Sequence, residues 1–220
     1  MRVIVTGATG MVGEGVLHEC LLDPVIEKVL VVGRRPCGVT HVKLQEAIVP
    51  DFFHLDTIET TVQGYDACFF CLGVSSVGKK EAEFYHLTYE LTMNFARLLA
   101  SRNRGMVFCY VSGAGTNPGG KLMWARVKGK TENDLKTLGF RHVYNFRPGI
   151  MTPTKGLKNT LKAYKYLGWL MPVFRILIPG RISTLSAVGR AMIHVVTHGY
   201  PSSTIEVNDI HQLSAVLQTL

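Results

Sequence analysis

The chain has 220 residues, 47% of them hydrophobic and 18% charged, and 24 Lys and Arg against 16 Asp and Glu give a net charge of +8. This composition excludes an intrinsically disordered chain, and the length suffices for one well-buried domain. The five cysteines (Cys20, Cys37, Cys68, Cys71, Cys109) are odd in number and scattered, which argues against a disulfide framework.

The first strand-like run begins at Arg2, leaving no room for a signal peptide. The longest apolar stretch, "LGWLMPVFRILIP" at 167–179, is interrupted by Pro172 and Arg175 and is too short to span a bilayer. The expectation is a cytoplasmic protein.

Along the chain, apolar runs alternate with helical patterns. "RVIVTG" reads as a first strand and 11–22 as a helix, "KVLVVGRR" as a second strand and "EAIVPD" as a short third. A brief helix is expected at 56–63 and a fourth strand at "DACFFCLG". Residues 80–103 read as one long helix, with Phe84, Leu87, Leu91, Phe95, Leu98 and Leu99 at helical spacing. "GMVFCYVSG" is a fifth strand, 121–138 a helix and "HVYNFRPG" a sixth strand. Beyond Pro148 the pattern loosens into helices and loops. "STIEVND" is expected to return a last strand and 209–219 a closing helix.

Strands this apolar, separated by helices, predict a parallel sheet covered on both faces. With right-handed crossovers this is a doubly wound α/β domain. One domain over 1–220 is expected, with 151–200 forming a small helical lid lobe.

In "TGATGMVG", Gly7, Gly10 and Gly13 follow a strand and open a helix. Gly7 permits the tight turn, Gly10 the approach of a pyrophosphate, and Gly13 close packing of helix on strand, with the helix N-terminus facing the anion. An NAD site usually carries an acidic residue at the end of the second strand to hold the ribose hydroxyl. Here "VVGRR" places Arg34 and Arg35 there, which suit a 2′-phosphate by charge and fork geometry, so NADP is expected over NAD.

Two motifs are set aside. "GVSSVGKK" at 73–80 nearly spells a triphosphate loop, but Lys80 stands where a Mg²⁺-binding hydroxyl belongs. Cys68 and Cys71 form a C-x-x-C on a strand, where residues three apart face opposite sides. His194 and His198 are four apart on a helix without a third ligand, so no metal site is expected.

The motifs "TGATGMVG", "VGRR", "FCLG", "YVSGAG", "KGKTE" and "FRPG" resemble the short-chain dehydrogenase/reductase superfamily in its extended or atypical branch. The chain is similar to the Tat-interacting oxidoreductase-like subgroup and to bacterial nucleoside-diphosphate-sugar epimerases. The resemblance implies a Rossmann fold, a dinucleotide cofactor and a cleft closed by the C-terminal segment. It implies cofactor contacts from Thr6, Gly7, Thr9, Gly10, Met11, Gly13, Arg34, Arg35, Leu72, Gly73, Lys128 and Pro148. It also implies that Ser112 polarises a substrate oxygen and that Lys128 holds the cofactor ribose.

The family tyrosine four residues before that lysine is replaced by Trp124, whose indole cannot ionise near neutral pH. Substitute proton donors are sought among Tyr85, Tyr89, Tyr110, His86, Ser75 and Ser76. The expected function is NADP(H) binding with hydride transfer, as oxidoreductase or epimerase, on a small-molecule substrate. The alternative is a catalytically silent dinucleotide sensor read by a partner protein. Lys155, Lys158, Lys162 and Lys165 recur at helical spacing, so 155–178 is compatible with an anionic membrane surface, although a lid helix with a solvated face is preferred. No nucleic-acid signature is present.

Overall fold

The computed structural model describes residues 1–152, 154, 156, 157, 159 and 182–216. Its first strand, β1 (Arg2–Thr6), is buried over four of its five residues. Gly7, at φ +71°, breaks it, and the chain enters α1 (Met11–Leu22). β2 (Lys28–Gly33) and β3 (Leu44–Ile48) follow. The third strand was expected to run on through Val49–Asp51, but the chain leaves the sheet there. Pro50 has no N–H to continue a ladder.

Only a short 3₁₀ turn (Asp56–Ile58) forms where the brief helix was expected. After β4 (Ala67–Phe70), the expected single helix is three pieces: α2 (Glu81–Tyr85), a π turn (His86–Glu90) and α3 (Leu91–Arg102). The π turn inserts about one extra residue per turn, which keeps Phe84, Phe95 and Leu99 all buried although their spacing drifts from one helical face. β5 (Val107–Val111), α4 (Met123–Leu135) and β6 (His142–Phe146) follow. Then come β7 (Ile150–Thr152), β8 (Ile182–Thr184), α5 (Leu185–His198), β9 (Thr204–Ile205) and α6 (Val207–Val216).

The main sheet has the order β3-β2-β1-β4-β5-β6-β9, and every pairing is parallel. β7 and β8 form a separate parallel pair. This is the doubly wound Rossmann arrangement, with the strand order reversing between β1 and β4.

Each face of the sheet carries its own core. On one, Val3, Val5, Phe69, Cys109 and Phe146 pack against α1, α5 and α6. On the other, Ile4, Cys68, Phe70, Phe108 and Tyr110 pack against α3 and α4. Cys68 and Cys71 divide between these two faces. Two glycines bring α1 and α5 together: a Cβ on Gly15 would fall 2.6 Å from the Leu185 side chain, and one on Gly189 2.7 Å from that of Glu19. α5 is started by Thr184, whose hydroxyl accepts from the Ala187 N–H at 3.0 Å. None of the helices among the described residues is long and apolar enough to cross a membrane. The basic segment 155–178 lies almost wholly outside the described residues.

Candidate functional site

The crevice at the carboxyl ends of β1 and β4 is built by glycines. A side chain on Gly7 would place its Cβ 2.7 Å from the Cys71 carbonyl oxygen, so the turn lies directly against the end of β4. Thr6 seals the same junction by accepting from the Leu72 N–H at 3.2 Å. A Cβ on Gly13 would lie 2.2 Å from the Gly7 oxygen, so α1 sits on the turn itself rather than on the strand alone. Gly10 is different. Its nearest neighbour would be the Gly7 oxygen at 3.4 Å, so the fold tolerates a Cβ there and the exposed backbone faces outward. Gly10 also caps α1 without any side-chain bond, leaving the first-turn N–H groups, including that of Met11, without the intrahelical partners of later turns.

This turn floors a cavity of about 300 Å³ lined by Gly7, Ala8, Thr9, Val31, Gly33, Arg34, Arg35 and Leu72. Both arginines are exposed, and no carboxylate among the described residues pairs with either. A second cavity of about 160 Å³ adjoins it, sharing Arg34 and Leu72, and is walled by Pro50, Phe52, Phe53, Val74, Leu87 and Leu91 with Asp51 and Gly73 at its rim. Its outer wall is braced by Phe53 stacked on His86, with ring centroids 4.4 Å apart.

The second group of expected residues gathers beyond β5 and lines neither cavity. Ser112 is buried, its N–H held by the Phe146 oxygen at 2.8 Å. Its Oγ lies 3.0 Å from Thr116 Oγ1, and Thr116 donates to the Gly113 oxygen at 2.7 Å. The Thr116 proton being so used, the Ser112 proton goes to Thr116, so the expected orientation toward a substrate oxygen is corrected. Trp124 covers the same loop, its ring edge in van der Waals contact with the space above Gly113 and Gly115.

Lys128 Nζ donates to the carbonyls of Val111 at 3.3 Å and Ser112 at 3.2 Å and lies 5.6 Å from the Tyr110 ring centre. Burial pushes its amine down to about 8, against an opposite pull from Glu132 one turn further along α4. Pro148 is buried, and its carbonyl accepts from Ser183 Oγ at 2.6 Å. It therefore fixes the turn into β7 rather than facing either cavity.

The substitute donors prove to be structural. Tyr110 is fully buried, and burial holds its phenol far above its ordinary range. Tyr89 stacks on Tyr85 and donates to Asp134 at 2.7 Å, and burial followed by that carboxylate raises its phenol. His86 is bonded to Glu90 at 2.5 Å, and Ser75 Oγ accepts from the Val77 N–H. His194 and His198 stack on one another at 4.6 Å, and no group of three metal-ligating side chains exists among the described residues.

Some participants carried no flag in the sequence. The wall at Pro50–Phe53 reads as a strand end followed by a loop. Glu132 and Arg147 stand within "KGKTE" and "FRPG" but had no assigned role. They form a two-point ion pair, with Arg147 Nε and a second guanidinium nitrogen 3.0 and 2.6 Å from the two Glu132 oxygens. The remaining nitrogen reaches Glu206 at 3.0 Å.

The sheet order, the glycine turn at the switch point and the adjoining cavities define a Rossmann-type protein of the atypical short-chain dehydrogenase/reductase class. The model of the NAD dependent epimerase/dehydratase family matches residues 3–127, more than half of the chain, and the chain belongs to that family. The chain is 30% identical over 176 residues to "Protein FMP52-1, mitochondrial" of Scheffersomyces stipitis, covering 76% of this chain and 77% of that protein. It is 28% identical over 152 residues to "Protein HTATIP2" of Rattus norvegicus, covering 68% of this chain and 62% of that one. Among solved structures, the ADP-L-glycero-D-manno-heptose-6-epimerase of Helicobacter pylori superposes with a TM-score of 0.68 at 15% identity, over 98% of this chain and 80% of that one.

These relatives correct one expectation. Fungal relatives carry the word mitochondrial in their names, which overturns the reading of a cytoplasmic protein. Free thiols separate oxidising from reducing compartments and do not resolve one internal compartment from another.

Proposed function

We propose that the chain binds NADP(H) in its two joined cavities and works by hydride transfer, as an oxidoreductase or epimerase on a small-molecule substrate. The observation that carries this reading is the larger cavity, where a side-chain-free helix N-terminus and two arginines without carboxylate partners line one space.

The residues present fit a phosphorylated dinucleotide. Gly10 leaves the backbone open where a pyrophosphate would meet the free N–H groups of α1. Arg34 and Arg35 supply charge and fork geometry for a 2′-phosphate, in place of a carboxylate that would repel it. The second cavity offers Phe52, Leu72, Leu87 and Leu91 as walls for a flat aromatic ring, and Arg34 stands between the two spaces. When bound, such a cofactor supplies or accepts hydride. Lys128 is left to hold a ribose hydroxyl, anchored as it is on the carbonyls that end β5.

A second reading is favoured by Ser112 and Trp124. A serine whose proton is turned to Thr116 and an indole lying on the neighbouring loop suit a catalytically silent dinucleotide sensor. Calorimetric titration with NADPH and NADH tests the common part of both readings. NADPH consumption with carbonyl probes then separates them.

A further inference from the structure

Trp124 removes the ionisable phenol from this site, and the neighbouring tyrosines are held in structural bonds. One ionisable side chain remains beside Ser112. Lys128 donates two N–H bonds to the Val111 and Ser112 carbonyls, and its third has no partner among the described residues.

The groups facing this amine are few. Tyr110 offers only its ring from β5, and Glu132 is the carboxylate one turn along α4. A lysine and a glutamate at this spacing ordinarily pair. Here Glu132 is 3% exposed and both of its oxygens are taken by Arg147, itself shared with Glu206.

We propose that Lys128 is the proton donor of this site in place of the missing tyrosine, and that Arg147 is its positioning residue, holding the Glu132 carboxylate in a two-point bond and away from the amine. The proposal rests on the hydride-transfer reading above. In the reducing direction a substrate carbonyl carbon gains hydride and its oxygen gains a proton from the Lys128 ammonium. The neutral amine left behind is reprotonated from water. The reverse direction needs the neutral amine as base. A lysine held at its ordinary 10.5 would rarely be neutral near pH 8, whereas one pushed to about 8 by burial populates both forms there.

The test is an NMR titration of the Lys128 Cε resonance in lysine-labelled full-length protein, assigned with Lys128→Met. The wild type is expected to titrate near 8. Arg147→Gln leaves the Glu132 charge unshared and is expected to raise that value by about one unit or more. The double variant Glu132→Gln/Arg147→Gln removes both charges and is expected to return it to the wild-type range. Titration near 10.5 in the wild type, or no rise in a folded Arg147→Gln, overturns the proposal. Should Arg147→Gln fail to fold, Glu132→Gln serves: it retains hydrogen bonds to Arg147 and is expected to leave Lys128 at or below its wild-type value, and a rise overturns the proposal.

The catalytic part is read with 9,10-phenanthrenequinone and 4-nitrobenzaldehyde as carbonyl probes. The pH profile of NADPH consumption is expected to bend where Lys128 titrates and to move with it in Arg147→Gln. A bend that stays fixed, or no consumption despite tight NADPH binding, overturns the donor role of Lys128. Absence of NADPH binding overturns the dinucleotide reading and the donor role with it. An ordinary Lys128 titration alongside tight NADPH binding overturns this proposal alone.

Discussion

A Cβ at position 13 would lie 2.2 Å from the carbonyl oxygen of Gly7, whereas a Cβ at position 10 would come no closer to it than 3.4 Å. Two glycines of one motif therefore have different physical reasons. Gly13 is required by the fold, because α1 rests on the turn backbone. Gly10 is not required by packing, and its bare backbone is explained by what approaches it.

Substitution separates the two. Gly13→Ala forces backbone against backbone and is expected to cost about 3 kcal/mol or more in unfolding free energy. Gly10→Ala is expected to keep the wild-type melting temperature within a few degrees while weakening NADPH binding about tenfold or more. Thermal denaturation and calorimetry on the two proteins read these outcomes, and a Gly10→Ala protein with wild-type affinity would remove the phosphate role of the turn.

Arg34 lines both cavities without a carboxylate partner. Charge-assisted bonds to a phosphate contribute about 1.5–3 kcal/mol. Arg34→Ala is therefore expected to weaken NADP binding by about 10- to 100-fold and NAD binding little. Equal losses for the two cofactors would show that Arg34 does not read the 2′-phosphate.

The strand order was legible because four- to six-residue apolar runs separated by helical patterns leave few topologies. The glycine turn was legible because its spacing is local. Glu132 was not: on α4 it looks like one more charge on an amphipathic helix. Only the return of β6 brings Arg147 against it. The second cavity was hidden for the same reason, since Pro50–Phe53 and Leu87–Leu91 meet only across the sheet end. The break in the long helix was missed because a π turn leaves apolar spacing nearly helical.

The Glu132–Arg147 pair is buried on the Glu132 side, and removing one partner strands a charge. Arg147→Met is expected to cost roughly 3–5 kcal/mol. Lys79→Ala, which breaks an exposed helix-surface pair with Glu83, is expected to cost less than about 1 kcal/mol. Urea denaturation of both proteins checks the contrast, and similar costs would mean the buried pair holds little of the fold.

Lys128 titrates lower in the folded chain than in the unfolded one, so between about 8 and 10.5 the unfolded chain binds more protons. Stability from this group therefore rises with pH across that window, since deprotonation removes the cost of a buried charge. The wild type is expected to gain stability relative to Lys128→Met as pH climbs from 8 toward 10.5. A difference between the two proteins that stays flat across this window would place the amine in solvent.

The account as a whole turns on one titration: NADPH and NADH against the wild-type protein by calorimetry. Binding of NADPH about tenfold or more tighter than NADH is the expected result, from the glycine turn and the paired arginines together. Binding of neither cofactor would contradict it, leaving the glycine turn as a feature of the fold alone.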